Sequence, residues 1–417
     1  MTTINQPQPE INQENKWKRT FWIIWSGQAF SILGSAAVGF AIIWWLTVQT
    51  GSAMVLAMAA MVAFLPQAII GPFAGVWIDR LSRKKVMMGA DLFIASVTAV
   101  LGIAFLMGTP PMWLIYAVLF LRGVGAALHN PAMQAAMPMF VPESELVKVG
   151  GWSGFIQSGS LMLGPVLGIF LMTVFSLPVV ILVDIFGAII AVTALALVQI
   201  PDPKVDRAAR QHILREMLDG LIEINENKLL KAICIPVILS TLLYMPISAL
   251  FPLMVNGHFN GTGWHASLVE FLFAGGMLIA GLIMGIWGGL KDKFLMINLS
   301  LAALGLMIAI AGILPPSAFM VFALLSGLMG VTGNFFSIPF MAYVQTIVPP
   351  ESLGRVFSLL LSIMSLAMPL GLLATGPIAE LIGVANCFAL AGSLMIVSAV
   401  GGYFGVKSVE RKLEREG

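Results

Sequence analysis

The chain has 417 residues, of which 59% are apolar and only 10% charged, and its formal net charge is +2. A soluble domain carries about a quarter charged residues, so water is excluded as the main solvent. A charge so near zero also gives no basic field for a nucleic-acid partner.

A helix needs about 20 mostly apolar residues to cross the roughly 30 Å hydrocarbon layer. In chain order such stretches run at approximately 21–47, 53–78, 86–108, 112–138, 149–175 and 178–200, then 231–255, 267–289, 294–314, 317–347, 355–381 and 384–406. The expected fold class is therefore all-α membrane protein with twelve transmembrane helices. Cys234 and Cys387 both fall inside spans, where they read as small apolar side chains and no disulfide is expected. The polar start through Arg19 leads into a span of full length, so no cleavable signal peptide is expected.

Orientation follows from the cations, because Lys and Arg of short loops stay on the cytoplasmic side. Of the 22 basic residues, 21 fall in the N-terminal segment, the even-numbered connections and the C-terminal tail, and Arg122 lies within span four. This predicts an even helix count with both termini cytoplasmic.

The organisation expected is a cytoplasmic tail at 1–20, a six-helix bundle at 21–200, a cytoplasmic linker at 201–230, a second bundle at 231–406 and a tail at 407–417. In the linker Ile213, Leu214, Met217, Leu218, Leu221 and Ile222 recur at helical spacing, the pattern of an amphipathic helix on the membrane surface that tethers the two bundles. The halves echo each other: Pro131, Pro142, Glu143 and Ser144 return as Pro339, Pro350, Glu351 and Ser352, each 208 residues later. Gly75, Asp79 and Arg80 return as Gly288, Asp292 and Lys293 at an offset of 213. Parallel repeats of this kind place a substrate site between them near mid-membrane and give alternating access by rocking.

Arg122 lies about ten residues from the nearer end of its span, hence at the midplane at about 1.5 Å per residue. A cation there costs at least about 2.5 kcal/mol, so it needs a cavity or an anionic partner. Four acids fall within or at the ends of spans: Asp91, Asp184, Glu270 and Glu380. Asp184 ranks first for a proton-coupling role, since it can approach Arg122 within one half, and Glu270 second. Glu380 reads as interfacial and His129 as a packing residue.

The loop GPFAGVWIDRLSRKK, with Gly75, Asp79, Arg80 and Arg83, resembles the signature of the major facilitator superfamily. That resemblance implies two pseudo-symmetric six-helix bundles and a latch in which Asp79 meets the start of span eleven near Arg355. By the duplicated geometry Asp292 would meet the start of span five. The superfamily also associates an Arg at the place of Arg122 with proton coupling. Gly164, Pro165 and Gly168 resemble its drug/proton antiporter motif, with Gly159 one residue out of register; small residues with Pro also make ordinary close-packed spans.

A narrower resemblance covers nearly the whole chain. WKRTFWIIWSGQA, TGSAMVLAMAA, PAMQAAMPMFVPE, HFNGTGWHAS and LGRVFSLLLSIMSLAMPLGL are similar to the macrolide-efflux subgroup of drug exporters. It implies a proton-driven, multi-pass exporter of small amphipathic molecules in the bacterial inner membrane. Spans one, four, seven and ten surround the cavity in that superfamily, which points to Gln28, Arg122, Tyr244, Asn334 and Phe335, with Gln157 from span five. Each also reads as packing. Partners expected are the substrate, protons and lipid, with no cofactor, no metal and a monomeric chain.

Other classes leave weaker marks. No Gly-Lys dipeptide exists from which to build a phosphate loop, so the driving force must be a gradient. The same fold could export an endogenous metabolite or siderophore, or act as a channel or scramblase. Ser153 in a G-x-S, with His129 as base, is the one trace of an intramembrane hydrolase. His258 and His265 share a loop and read as solvated.

Overall fold

In the computed structural model, residues 11–78, 81–142, 145–200, 221–222, 224–225, 227–348 and 350–416 are described. Among them the elements are all helical. Twelve helices are long and apolar enough to cross a membrane: α1 Ile11–Thr50, α2 Ala53–Ile78, α3 Arg83–Met107, α4 Met112–Ala136, α5 Leu146–Val174 and α6 Leu177–Ala196, then α7 Lys228–Ala249, α8 Gly263–Trp287, α9 Lys293–Ile313, α10 Phe319–Ile347, α11 Pro350–Ile382 and α12 Val384–Glu416. A π turn over Met254–His258 extends α7. Every predicted span matches one of these helices. The predicted linker helix lies mostly outside the described residues; its end, Leu221–Ile222, is helical and exposed.

Helices form because nothing in hydrocarbon can bond an exposed backbone N–H or C=O. Large apolar side chains turn outward as well as inward. Ile286 is 90% exposed and Phe404 66%, an arrangement stable only against lipid. Very short connections make neighbours antiparallel. Gly51 and Ser52 join α1 to α2, and Gly383 alone joins α11 to α12, at φ +57° for Gly51 and +85° for Gly383, where a side chain would be strained.

Helix pairing reveals the duplication. In the first half α1 packs on α5 and α6, α2 on α4, and α3 on α4 and α6; in the second, α7 packs on α11 and α12, α8 on α10, and α9 on α10 and α12. Adding six to each number turns the first set into the second. The principal contacts between halves, α2 on α11 and α5 on α8, exchange under the same operation. Two pseudo-symmetric six-helix bundles result.

Among the described residues the apolar cores of the halves join at one end. Call the end holding the chain termini and the connection between halves the linker end, and the other the hairpin end. Toward the hairpin end one apolar core runs through both halves, joining Trp44, Leu56 and Ile169 to Phe251, Val255 and Phe388. Ala57 and Ala60 of α2 form a further cluster with Leu372 of α11. Toward the linker end the cores are separate among the described residues: Ile24, Ile78 and Leu195 belong to one half, and Leu230, Phe340 and Val356 to the other.

Candidate functional site

Four helices of the first half bring polar side chains into one buried column. In its upper tier, nearer the hairpin end, the guanidinium of Arg122 (α4) donates to the carboxylate of Asp184 (α6) and to the hydroxyl oxygen of Thr98 (α3). The hydroxyl of Ser35 (α1) donates to the other oxygen of Asp184. Thr98 Oγ1 lies 3.0 Å from Asp184 Oδ2, and Arg122 Nη2 reaches the Ser35 carbonyl at 3.4 Å. Asp184 is 1% exposed. Breaking such a pair by removing one partner leaves a buried uncompensated charge, whereas the intact pair is neutral.

The lower tier lies one heptad toward the linker end. Gln28 Nε2 (α1) donates to Asp91 Oδ2 (α3) at 3.2 Å, Ser31 Oγ lies 3.5 Å from Asp91 Oδ1, and His129 Nε2 (α4) is 3.4 Å from the same oxygen. All four residues are buried.

Beside the column lies a cavity between the halves, in two adjoining lobes. A lobe of about 520 Å³ is lined by Phe40, Phe64, Gln67, Arg122 and Pro165 from the first half. The other, of about 550 Å³, is lined by Tyr244, Phe273, Met277, Asn334 and Met364 from the second. Leu161, Ser248, Ala249, Glu270 and Met368 border both lobes. Arg122 thus faces the cavity on one side and Asp184 on the other. Among the described residues Glu270 is the single acid lining either lobe. Such an apolar wall with a few polar groups suits a bulky amphipathic molecule, and Met side chains adapt to several shapes. A third hollow of about 650 Å³ lies between α7 and α12, within one half and away from the polar column.

The sequence-predicted residues divide accordingly. Arg122, Tyr244, Asn334 and Glu270 line the cavity; Asn334 Nδ2 also donates to the Met277 carbonyl at 2.7 Å, fixing α10 to α8. Gln28 is fully buried in the column instead, because its amide satisfies Asp91. Gln157 is exposed on α5, and Phe335 lies with its ring centroid 6.4 Å from that of Trp287; neither is among the lining residues of the two lobes. Gly164 and Pro165 pack at the interior, and a Cβ on Gly164 would come within 2.7 Å of Ala36 Cβ, one on Gly168 within 2.5 Å of the Ala37 carbonyl. The antiporter-like stretch therefore presses α5 onto α1.

Of the latch residues, Asp79 and Arg80 lie outside the described residues, as do the surroundings of Gly75 and the Arg355 side chain. Arg83 donates to the Ala135 carbonyl at 2.6 Å, holding the end of α4. Asp292 caps its own helix, accepting from Leu295 N at 2.9 Å; Ser144, near which it was expected to meet span five, lies outside the described residues. Ser153 donates to the Val149 carbonyl at 3.1 Å while His129 faces Asp91, so the hydrolase pair is not assembled. His258 bonds the Leu314 carbonyl and His265 caps α8 through Thr262. Among the described residues no group of three His, Cys, Asp or Glu could hold a metal.

Two contacts between halves close the hairpin end. Glu380 (α11) accepts from the Ser52 hydroxyl and from the Met54 backbone N–H, the latter at 3.0 Å. Ser267 (α8) donates to the Pro165 carbonyl (α5) at 3.0 Å. Sequence reading missed Ser35, Thr98 and Ser267, whose hydroxyls are unremarkable one at a time.

Two like bundles, joined at one end over a central cavity with a buried ion pair in its wall, define a membrane transport protein of the two-half kind. The family model for the Major Facilitator Superfamily matches residues 24–260 and 233–417. Macrolide efflux protein A of Streptococcus pyogenes is 44% identical over 392 residues, covering 94% of this chain and 96% of that protein. Macrolide efflux protein A of Enterococcus faecalis is 43% identical over 324 residues, covering 77% of this chain and 100% of that protein. The Multidrug efflux pump Tap of Mycolicibacterium fortuitum is 28% identical over 387 residues, with 85% and 88% covered. Among solved structures, the POT family transporter PepTSo aligns with a TM-score of 0.72 at 13% identity, covering 95% of this chain and 99% of that one, a likeness of fold alone. The chain belongs to the major facilitator superfamily and, within it, to the macrolide-efflux subgroup.

Proposed function

We propose that the protein exports small amphipathic molecules, macrolide-like antibiotics among them, across a bacterial cell membrane by proton antiport with alternating access. The observation that carries this reading is the Arg122–Asp184 pair, buried in the first half with one side of Arg122 on the cavity. Protonating Asp184 would release Arg122 toward the cavity, and re-pairing would expel the proton. Either event changes the charge that the cavity offers a substrate. Glu270, bordering both lobes, is the second coupling acid, and Tyr244 and Asn334 are substrate contacts. Gln28, Gln157 and Phe335 act from outside the cavity wall.

The linker end is cytoplasmic on this reading, because 21 of 22 cations fall there. The arrangement described is then open inward and closed outward by Glu380 and Ser267. In the opposite state Asp79 would meet the N-terminus of α11 near Arg355, with Arg80 and Arg83 flanking it, and Asp292 that of α5. Residues 21–200 and 231–406 rock as bodies about the tether at 201–230, in a monomer.

The test is substrate movement in proteoliposomes with an imposed pH gradient. Accumulation of a macrolide or an amphipathic dye against its own gradient, abolished by a protonophore, is the expected result. Movement only down the substrate's gradient would identify a channel or facilitator instead.

A further inference from the structure

The lower tier of the column is not needed to explain the Arg122–Asp184 pair, and its chemistry differs from that pair in one respect. Asp184 has a fixed cation against it. Among the described residues Asp91 has none: from α1 it is faced by Gln28 and Ser31, which carry no charge, and from α4 by His129. The other charged groups on the packed helices stand apart. Arg122 and Asp184 lie one tier up, seven residues or about 10 Å along the helix, and Arg83, Lys84 and Lys85 lie at the start of α3, at least six residues away on their own helix. Arg83 and Lys84 are held there by the Ala135 and Val198 carbonyls, at 2.6 and 2.7 Å.

Charge counting then fixes a proton. With none bound, the Asp91–His129 tier carries a net charge of minus one; with two it carries plus one; with one it is neutral. A lone charge inside a membrane bundle is costly, so the tier is stable in the bundle only when it holds a single proton, either on the carboxyl or on the imidazole. Gln28 Oε1 beside it is a buried acceptor with no hydrogen-bond partner, and His129 Nε2 within it makes no hydrogen bond but stands 3.4 Å from Asp91 Oδ1, which leaves room for that proton.

We propose that Asp91 and His129 form a second proton-holding site, through which the proton exchanged at Asp184 passes on its way to the linker end. The inference rests on the antiport reading. Two serines one turn apart on α1 join the tiers: Ser35 bonds Asp184, and Ser31 lies against Asp91. In the step, the resident proton stands on His129 and leaves to water at the linker end as its N–H bond breaks; the O–H bond at Asp184 breaks, its carboxylate re-pairs with Arg122, and an O–H bond forms at Asp91. That O–H then breaks as a new N–H forms at His129, so Asp91 is a carboxylate again, the tier holds one proton as before, and one proton has passed from Asp184 to the water.

The test uses the full-length protein in proteoliposomes with Asp91→Asn and His129→Gln, both of similar shape to the native residue. Uphill transport under an imposed pH gradient should fall about a hundredfold, the scale of one lost proton-transfer group. Substrate counterflow without a gradient, which needs no net proton movement, should persist in Asp91→Asn. In His129→Gln the pH midpoint of residual uphill transport should shift. Infrared difference spectra between acid and alkaline pH, which do not depend on transport, should show a protonated carboxyl band lost in Asp91→Asn. Full uphill transport with an unchanged pH profile in either variant would overturn the proposal. So would loss of counterflow together with uphill transport in folded Asp91→Asn, which would make the tier a packing element. If wild-type transport ignores the pH gradient, the antiport reading fails, and the carboxyl band alone then judges whether Asp91 holds a proton.

Discussion

Glu380 on α11 accepts the backbone N–H of Met54 at 3.0 Å, so a carboxylate of one half caps the first turn of α2 in the other. The Ser52 hydroxyl bonds the same oxygen. Anions at helix N-termini are worth typically 0.3–1 kcal/mol, and capping side chains about 1. Glu380→Gln should therefore weaken closure of the hairpin end by about 1 kcal/mol, which is about a fivefold shift in population. A cysteine introduced for the buried Ala57, with Cys234 and Cys387 replaced, should then react with a polar thiol reagent about fivefold faster. An unchanged rate would show that the contact does not hold this end.

Arg122 and Asp184 should fail singly and recover together. Arg122→Gln leaves Asp184 buried without its cation, at a cost of about 3–5 kcal/mol, seen as a lowered melting temperature in detergent. Adding Asp184→Asn to Arg122→Gln removes the stranded charge and should restore most of that stability. Uphill transport should remain absent in the double variant.

How far the sequence led can be judged from these same residues. Arg122 was legible as the lone cation amid an apolar span, and Asp184 as an acid on a neighbouring helix at compatible depth, because charge is conspicuous in hydrocarbon. Ser35 and Thr98 were not, since a membrane helix carries many hydroxyls that merely bond their own previous turn, as Ser96 does to Leu92. In retrospect the heptad spacings Gln28–Ser35, Asp91–Thr98 and Arg122–His129 mark one face on each of three helices. No single sequence says that these faces converge. Glu380 read as interfacial from its position at a span end; its partner lies 326 residues away, a relation that only the packing of α2 on α11 creates. The twelve spans themselves were legible because the bilayer sets helix length.

Close packing in the antiporter-like stretch gives a stability prediction. Gly168→Val would drive its Cβ to 2.5 Å from the Ala37 carbonyl, and overpacking of this kind costs about 1–3 kcal/mol. Thermal unfolding in detergent should register it. Gly154→Ala, on the same helix but facing open space, should be neutral or gain about 0.4–1 kcal/mol from lower unfolded-state entropy.

Glu270 offers a test of coupling in the cavity itself. With Glu270→Gln the cavity loses this carboxylate while keeping nearly the same shape, so substrate counterflow should survive. The dependence of efflux on external pH should flatten. A variant with the wild-type pH dependence would remove Glu270 from the coupling scheme.

The most direct measurement is of the protons. In vesicles reconstituted with the purified protein and a trapped pH-sensitive dye, a substrate gradient imposed with no pH gradient should drive protons the opposite way. That flux should be absent in Asp184→Asn. Substrate movement at the full rate with no accompanying proton flux would contradict the account.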